Sequence, residues 1–261
     1  MPLPPPTPGQ PAVITGASQG IGKAIAHELA ALGYPVLLVA RRGDVLTEVA
    51  AEIHREHGVE ATTWPVDLTN RDDRQKLVDH LAGADVPILV SNAGFVTAGL
   101  WHGKLDHAQE RAEVELNVVA AYDLVLAVLP KMLARRSGGI VVTGSIAGNG
   151  PVPITTTYSA TKAFLNTFAE GLHFDVRNRG VHVTLLAPGV VRTELVSGPL
   201  AKSPAFLWAS AEQTAKATVA GLLRNKVRVA PIASHKIQSV LANYLPRPLY
   251  AKAMYRFYGG R

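Results

Sequence analysis

Three residues in the middle of the chain have the types and spacing for proton transfer. Tyr158 and Lys162 lie four residues apart in a helical pattern, so both side chains are predicted on one face of a helix. An ammonium beside a tyrosine favours the phenolate and should move the tyrosine pKa from about 10 toward neutrality. Such a pair can give a proton to a carbonyl oxygen or take one from an alcohol, and Ser145 could hold that oxygen. The Tyr-x-x-x-Lys spacing also occurs in many surface helices, so the motif alone is weak.

A glycine-rich turn near the start of the chain has the pattern of a nucleotide-binding loop. An apolar run at 12–15 leads into TGASQGIG at 15–22, and a helical pattern follows. Glycines let the backbone approach a pyrophosphate closely, and the next helix N-terminus offers it unpaired N–H groups. A purely structural turn is the alternative, but the strand before and the helix after favour dinucleotide binding. The predicted contacts are Gly16, Ser18, Gln19, Gly20 and Ile21.

The end of the second predicted strand indicates which dinucleotide would bind. A carboxylate there binds the ribose hydroxyls of NAD, whereas arginine suits the additional phosphate of NADP. Ala40 stands where the acid would be expected, Arg41 and Arg42 follow it, and the first acid is Asp44. Arg41 could contact a 2′-phosphate through two nitrogens, and Arg42 would add positive charge. Two arginines could also simply open a solvated helix, but their position favours NADP(H).

Asp67 and Leu68 follow the third predicted strand, at a position suited to the adenine of a bound dinucleotide. Asp67 could equally cap the N-terminus of the next helix, because aspartate is a preferred residue there. Both interpretations stay open on the sequence alone.

Short β-branched runs alternate with longer helical patterns along most of the chain. The predicted strands are 12–15, 36–41, 61–66, 88–91, 140–143, 181–186 and 227–230. The predicted helices lie near 21–32, 44–57, 70–82, 104–136, 157–179 and 210–224. This alternation predicts an α/β fold, a doubly wound Rossmann domain with about seven parallel strands and helices on both faces. That single domain spans residues 11–230, between a flexible proline-rich lead-in at 1–10 and a basic, aromatic C-terminal extension at 231–261.

Together, these motifs resemble the short-chain dehydrogenase/reductase family. The matching pieces follow the family's order from residue 12 to about 194, and they are the glycine-rich turn, Asp67, Asn92-Ala93-Gly94, Asn117, Ser145, Tyr158 to Lys162, and Pro188 to Thr193. The joint match is far more specific than any one motif. One departure is Ser91, where the family often has a further asparagine, and serine can still form hydrogen bonds.

The resemblance implies a role for each matching residue. Tyr158 would be the general acid/base, Lys162 would lower its pKa and bind the nicotinamide ribose, and Ser145 would orient the substrate carbonyl. Asn117 would hold a water of a proton relay where its helix is disturbed, and it could also be a buried asparagine that satisfies backbone carbonyls. Asn92 would support the sheet behind the cofactor. The further implied cofactor contacts are Ala93, Gly94, Pro188, Gly189, Val191 and Thr193.

Composition and charge argue against several other classes of protein. The chain has no cysteine, which excludes thiol catalysis and disulfides, and its nine histidines form no metal signature, so no metal site is expected. The net charge of +6 divides into −3 for residues 1–212 and +9 for residues 213–261. A basic tail without a recognised motif argues against nucleic-acid binding and suits an anionic surface or an acidic partner. No run of about 18 uncharged apolar residues occurs, which argues against a membrane-spanning helix.

The region after the Pro-Gly motif bears on the substrate. Residues 195–208 are apolar and interrupted by proline and glycine, which suits a mobile lid over an apolar pocket. Phe95, Leu100 and Trp101 could form the opposite wall, although any of them could be ordinary core. Residues 245–261 mix aromatic and basic side chains and could bind a membrane surface, pack on the subunit or cover the pocket. Lid and tail together make the chain similar to actinobacterial reductases of long-chain 3-oxoacyl lipids, including keto-mycolate reductases.

The sequence therefore predicts an NADPH-dependent oxidoreductase that reduces a carbonyl of a hydrophobic substrate, with a long-chain 3-oxoacyl lipid favoured. A steroid or xenobiotic ketone reductase and a non-catalytic NADP(H)-binding redox sensor are the alternatives. The resemblance implies a homodimer or homotetramer formed through the long helices at 104–136 and 157–179. A cytoplasmic location is expected, because the first ten residues lack the basic and apolar segments of a secretory signal. Peripheral contact with the inner membrane face through residues 245–261 is a further hypothesis.

Overall fold

A parallel sheet organises the computed structural model, which describes residues 3–98, 106–193 and 204–257. Its strands are β1 (Ala12–Thr15), β2 (Val36–Ala40), β3 (Ala61–Pro65), β4 (Ile88–Ser91), β5 (Gly138–Thr143), β6 (Val181–Leu186) and β9 (Arg228–Val229). They lie in the order β3-β2-β1-β4-β5-β6-β9, and every pairing is parallel. Two short strands, β7 (Val190–Val191) and β8 (Trp208–Ala209), pair with each other outside this sheet. The strand order reverses between β1 and β4, which is where a doubly wound sheet opens a ligand crevice.

Helices cover both faces of the sheet. They are α1 (Gly20–Ala31), α2 (Gly43–His57), α3 (Arg71–Gly83), α4 (His107–Val114), α5 (Ala121–Arg135), α6 (Thr156–Val176), α7 (Ala211–Leu223), α8 (Ala233–Tyr244) and α9 (Arg247–Phe257). The segment Glu115–Ala120 between α4 and α5 is π-helical. Side chains of α1, α2 and α7 fill the core on one face, and those of α3, α5 and α6 fill it on the other. The predicted doubly wound α/β fold with seven parallel strands is confirmed.

Successive residues of each strand point into opposite cores. In β1, Val13 packs in the core under α5 and α6, while Ile14 packs in the core under α1 and α7. Both faces of the sheet are therefore buried, which is why β2 reads as a continuous apolar run. Each fully buried leucine or isoleucine contributes roughly 1.5–3 kcal/mol, so the carboxyl ends of the strands are held on a rigid platform.

The helical stretch His107–Arg135 joins α4, the π-helical segment and α5, and it is long and apolar enough to cross a membrane, since an 18-residue window within it has a mean hydropathy of 1.6. In the fold its inner face packs on the sheet, where Leu124, Val125 and Met132 are buried. An α/β core helix has the same composition, because one side of it meets only apolar neighbours.

The C-terminal extension departs most from the predicted secondary structure. No element was predicted after the strand at 227–230, whereas α8 and α9 form there. Tyr250 of α9 and Ala242 of α8 are buried against Ala147 and Val152, beside the catalytic motif. Residues 195–203 of the lid predicted at 195–208, as well as Leu100 and Trp101, lie outside the described residues.

Candidate active site

A cavity of about 820 Å³ opens at the carboxyl edge of the sheet, around the ends of β1 and β4. Every residue predicted for the site lines this cavity except Asn117, which is fully buried behind Gly94. The fold thus brings together side chains from both halves of the sheet at the strand-order reversal.

The glycine-rich loop fits tightly between β1 and β4. A side chain at Gly22 would lie 2.2 Å from the carbonyl oxygen of Gly16, and one at Gly16 would lie 3.0 Å from the Cα of Ala93. Gly16 also has a φ of +68°, which only glycine adopts readily. Gln19 precedes α1 without a side-chain cap, and Gly20 and Ile21 at the start of α1 line the cavity, so the unpaired N–H groups of this helix end suit a phosphate.

Asn92 ties the ends of three strands together behind the cavity. Its Nδ2 donates to the carbonyl oxygen of Thr15 at 3.1 Å, and its Oδ1 accepts from the hydroxyl of Thr143 at 3.3 Å. The backbone N–H groups of Asn92 and Ala93 both donate to Thr15 Oγ1 at 2.9 Å. These contacts agree with the supporting role implied for Asn92.

The end of β2 places positive charge beside the glycine-rich loop. Ala40 is the last residue of β2, so no acid stands at the ribose-binding position. Arg42 Nη2 donates to Ser18 Oγ at 3.3 Å and also contacts Gln19 Oε1, while Arg41 is exposed at the rim. Two guanidinium groups on this rim suit an anionic group outside the loop.

Asp67 turns out not to be a helix cap. Its Oδ1 accepts from the backbone N–H and the hydroxyl of Thr69 at 2.9 and 2.8 Å. The N-cap of α3 is Asn70, whose Oδ1 accepts from the N–H groups of Asp72 and Asp73. The capping interpretation of Asp67 was therefore wrong, and both Asp67 and Leu68 line the cavity.

The three residues predicted for proton transfer converge at one point of the cavity. Tyr158 and Lys162 lie one turn apart on α6, with Lys162 Nζ 5.6 Å from the centre of the Tyr158 ring. Lys162 Nζ also donates to the carbonyl oxygen of Thr143 at 2.8 Å, at the end of β5. The Ser145 side chain forms a hydrogen bond with Tyr158, so both could contact one substrate oxygen.

Burial governs the proton affinities of the tyrosine and the lysine. It raises the pKa of Tyr158 to about 12, with a further contribution from the charge of Glu113 and an opposing one from the Ser145 hydrogen bond. It lowers the pKa of Lys162 to about 8, against the effect of Glu113. The expected fall of the Tyr158 pKa was wrong for this structure, because desolvation outweighs the nearby ammonium. At neutral pH, Tyr158 is thus protonated and Lys162 is charged.

Asn117 lies inside the π-helical segment, so the helix is disturbed at the position that the resemblance implies. Its Nδ2 donates to the Phe95 carbonyl oxygen at 3.0 Å and to Thr161 Oγ1 at 3.1 Å, and its Oδ1 accepts from the Phe95 N–H at 3.1 Å. The side chain therefore satisfies backbone groups and holds the segment after β4 against α6.

Glu113, a fully buried carboxyl group next to Asn117, was not predicted from the sequence. Its Oε1 lies 3.4 Å from Asn117 Nδ2, and its Oε2 accepts from the N–H of Thr97 at 3.0 Å. Burial raises the pKa of Glu113. A useful signal was available, since Glu113 and Asn117 are four residues apart and share the inner face of one helix.

The C-terminal segment forms part of the cavity, which was one of the three alternatives left open for residues 245–261. The lining residues from α8, α9 and the link between them are mostly apolar, and they are Gln238, Leu241, Leu245, Tyr250, Ala253, Met254 and Phe257. His235 of α8 is fully buried, and its Nδ1 accepts from the N–H of Gly189 at 3.1 Å. This bond fixes the start of α8 to the Pro-Gly turn on the cofactor side.

Comparison with known proteins places the chain in a family. The profile of the short chain dehydrogenases matches residues 10–202. A very-long-chain 3-oxoacyl-CoA reductase of Bos taurus is 34% identical over 253 residues, covering 95% of this chain and 79% of the relative. The chain therefore belongs to the short-chain dehydrogenases, oxidoreductases of alcohol and carbonyl groups whose fold binds a nicotinamide cofactor.

Two solved structures are similar over most of their length. A short-chain dehydrogenase from Sphingobium yanoikuyae in complex with NADPH has a TM-score of 0.80 and 26% identity, with 91% of this chain and 96% of that one covered. The bulky-bulky ketone specific alcohol dehydrogenase from Comamonas testosteroni has a TM-score of 0.78 and 26% identity, with 92% and 96% covered. Both similarities extend into the C-terminal half of the chain.

The lowered pKa of Lys162 predicts how the stability of the protein depends on pH. Below pH 8, Lys162 is charged in both states, and burial of that charge destabilises the folded state. Between pH 8 and 10.5 the folded state loses the proton while the unfolded state keeps it, so the destabilisation disappears as the pH rises. The free energy of unfolding of wild type relative to Lys162→Met should therefore rise by as much as roughly 3 kcal/mol from pH 7.5 to 10.5. Urea denaturation at several pH values measures this difference.

The exposed Lys76 provides a control of opposite sign, because its hydrogen bond with Asp73 raises the pKa of its ammonium. The free energy of unfolding of wild type relative to Lys76→Met should therefore not rise between pH 7.5 and 10.5, and it should begin to decline at the upper end of that range. A difference between wild type and Lys162→Met that does not change with pH would contradict the buried, charged state assigned to Lys162.

Proposed function

We propose that this protein is an NADPH-dependent reductase of a ketone on a long apolar acyl chain, with 3-oxoacyl thioesters as the favoured substrate class. The observation that carries the proposal is the composition of the cavity. Ser145 and Tyr158 provide polar groups for one carbonyl oxygen, and apolar side chains of α8 and α9 line the same cavity beside them. A substrate with one ketone and a long hydrocarbon part matches this distribution.

The outer surface of α8 and α9 is also apolar in part, which again favours a substrate with a long hydrocarbon chain. Tyr244 and Leu249 are 84% and 59% exposed, and Leu241, which lines the cavity, is 50% exposed. The cavity thus opens beside an apolar surface, so an acyl chain could leave the site along it. Residues 213–261 hold nine Lys and Arg and no acid, which also suits the anionic surface of a membrane. Co-sedimentation with anionic vesicles tests that peripheral contact.

The residues present fit the nicotinamide cofactor, and NADP(H) in particular. The glycine-rich loop leaves no space for side chains where a pyrophosphate would approach, and α1 presents its N-terminus there. The end of β2 has Ala40 where an acid would bind the ribose of NAD. Arg41 and Arg42 follow it and would place positive charge near a 2′-phosphate. Asp67 and Leu68 would hold the adenine, while Asn92, Ala93, Gly94, Pro188, Gly189, Val191 and Thr193 would surround the remainder of the dinucleotide.

The chemistry then divides between cofactor and protein. Bound NADPH would supply a hydride to the carbonyl carbon. Tyr158, which is protonated at neutral pH, would donate its proton to the carbonyl oxygen. Ser145 would hold the same oxygen by a hydrogen bond, and the Lys162 ammonium would stabilise negative charge near the phenol. Asn117 and Glu113 would keep the segment after β4 in place.

The names of the relatives favour an acyl thioester as substrate and also suggest a second candidate substrate class. The curated relative from Bos taurus is named for very-long-chain 3-oxoacyl-CoA, which favours an acyl thioester. The dehydrogenase from Comamonas testosteroni is described as specific for bulky-bulky ketones, so a steroid or xenobiotic ketone is the second candidate. An NADP(H)-binding sensor without turnover is disfavoured by the convergence of Ser145, Tyr158 and Lys162.

The outer surfaces of α5 and α6 suit a homodimer or homotetramer. Tyr122, Phe164 and Phe168 form an aromatic cluster there, with the two phenylalanine rings stacked at 5.8 Å. Tyr122 and Phe164 are each 41% exposed, and large exposed aromatic groups often mark a subunit interface. Light scattering distinguishes such oligomers from a monomer.

Replacing the Tyr158 hydroxyl tests the reaction. Tyr158→Phe should bind NADPH as wild type does but lose at least ~100-fold in kcat for a long-chain 3-oxoacyl thioester, because the proton donor is missing. NADPH consumption measures turnover, and cofactor fluorescence measures binding. The exposed Tyr244→Phe is the control with full expected turnover. Near-normal turnover by Tyr158→Phe would contradict the assigned mechanism.

Removing a guanidinium tests the cofactor preference. Arg41→Ala should raise the Kd for NADPH at least ~10-fold and leave the Kd for NADH nearly unchanged, since a charge-assisted contact to the 2′-phosphate is lost. Titration of both cofactors against wild type and variant measures the two constants. An equal loss for both cofactors would overturn the role of Arg41 in selecting NADPH.

A further inference from the structure

A cluster of histidine and glutamate lies where α1 and α2 pack together, outside the active-site cavity. His27 comes from α1, whereas Glu56 and His57 come from the last turn of α2. None of these three residues lines the catalytic cavity in the described part of the chain. These residues have no role in the proposed reaction. The sequence shows no metal-binding motif here, because the two histidines are thirty positions apart.

The potential ligand atoms converge on one point. His27 Nδ1 lies 3.2 Å from His57 Nε2 and 3.4 Å from Glu56 Oε2, and the last two atoms are 4.0 Å apart. A tetrahedral zinc ion with bonds of 2.0–2.1 Å requires its ligand atoms to lie ~3.3–3.5 Å apart. Two of the three separations are close to that value. Glu56 is 46% exposed, so a small rotation of its side chain could close the third.

The hydrogen-bonding capacity of the cluster supports a shared cation. The two imidazole rings lie in a T-shaped arrangement, with 73° between their planes, and His27 Nδ1 approaches His57 Nε2 to 3.2 Å. A single hydrogen on His27 Nδ1 cannot serve both His57 Nε2 and the carboxylate of Glu56 well. A metal ion would instead accept lone pairs from all three atoms at once.

The other nitrogen of His27 provides an independent sign of a ligand. His27 Nε2 is buried and has no hydrogen-bond partner among the described residues. It lies 4.0 Å from Glu52 Oε2, and Lys23 Nζ holds that carboxylate at 2.6 Å. If Nδ1 binds a metal, the ring proton must lie on Nε2 and point toward Glu52. Metal-binding histidines commonly have such a carboxylate behind them.

We propose that His27, Glu56 and His57 bind one Zn²⁺ ion, with water as the fourth ligand, and that this ion clamps α1 to α2. Two imidazoles and one carboxylate suit zinc, while Mg²⁺ and Ca²⁺ prefer sites made of oxygen atoms. Glu52 is a positioning residue that orients His27. Arg55 is the nearby competing cation, and its Nη2 lies 3.7 Å from the other carboxylate oxygen of Glu56.

Titration of the chelator-treated full chain with Zn²⁺ tests the site. Calorimetry should give one Zn²⁺ per wild-type chain, and the midpoint of thermal unfolding should rise with Zn²⁺ and fall back with chelator. His57→Gln and His27→Gln should weaken binding at least ~100-fold, and Glu52→Gln about 10-fold. NADPH binding should persist in all of these variants, which shows that they are folded.

His54→Gln is the matched control. His54 lies one turn before the cluster on α2, and its Nδ1 contacts the carbonyl oxygen of Val59 at 3.0 Å. This variant should bind Zn²⁺ as wild type does. The absence of saturable binding in wild type, equal binding by His57→Gln, or an equal loss in His54→Gln would each overturn the proposal.

Discussion

The close approach of α6 to the end of β5 is the constraint on which the rest of the structure depends. The Lys162 ammonium reaches the carbonyl oxygen of Thr143 at 2.8 Å, and Asn166 Nδ2 donates to the carbonyl oxygen of Ser145 at 2.9 Å. These bonds need glycine at two positions, since a side chain at Gly144 would lie 2.0 Å from Asn166 Oδ1 and one at Gly148 would lie 2.5 Å from the backbone of Lys162. The charge and the phenol are therefore placed by backbone contacts rather than by each other.

This arrangement removes both groups from water, which is why the site has unusual proton affinities. A buried ammonium with a pKa of about 8 and a buried phenol with a pKa of about 12 are both less stable in their charged forms than in solution. The negative charge of Glu113 stabilises the buried ammonium of Lys162 and destabilises a phenolate at Tyr158. The fold thus holds the tyrosine as a protonated acid at neutral pH, and the cost in stability comes from the buried, charged lysine, which the two apolar cores on the sheet must offset.

Local features of this fold and site could be predicted from the sequence, and contacts between distant segments could not. The glycine-rich turn and the Tyr158–Lys162 pair depend on neighbouring residues, so their spacing identified them. The packing of Tyr250 on Ala147 joins segments about a hundred residues apart, and no periodicity reports it. The predicted direction of the Tyr158 pKa shift was wrong for a related reason. The spacing of Tyr158 and Lys162 shows that a charge is near, whereas desolvation of the phenol depends on the whole fold. Glu113 was missed although its spacing from Asn117 is helical, since a buried acid is unexpected on an apolar face.

The central claim is that α8 and α9 bind a hydrocarbon chain whose ketone lies at Ser145 and Tyr158. The most direct measurement is kcat/KM for NADPH-dependent reduction of 3-oxoacyl thioesters of increasing chain length. Burial of a methylene contributes about 0.8 kcal/mol, so kcat/KM should rise roughly 2–4-fold per added methylene until the apolar wall is covered. A flat or falling dependence, with a compact ketone reduced faster than every acyl thioester, would contradict the account.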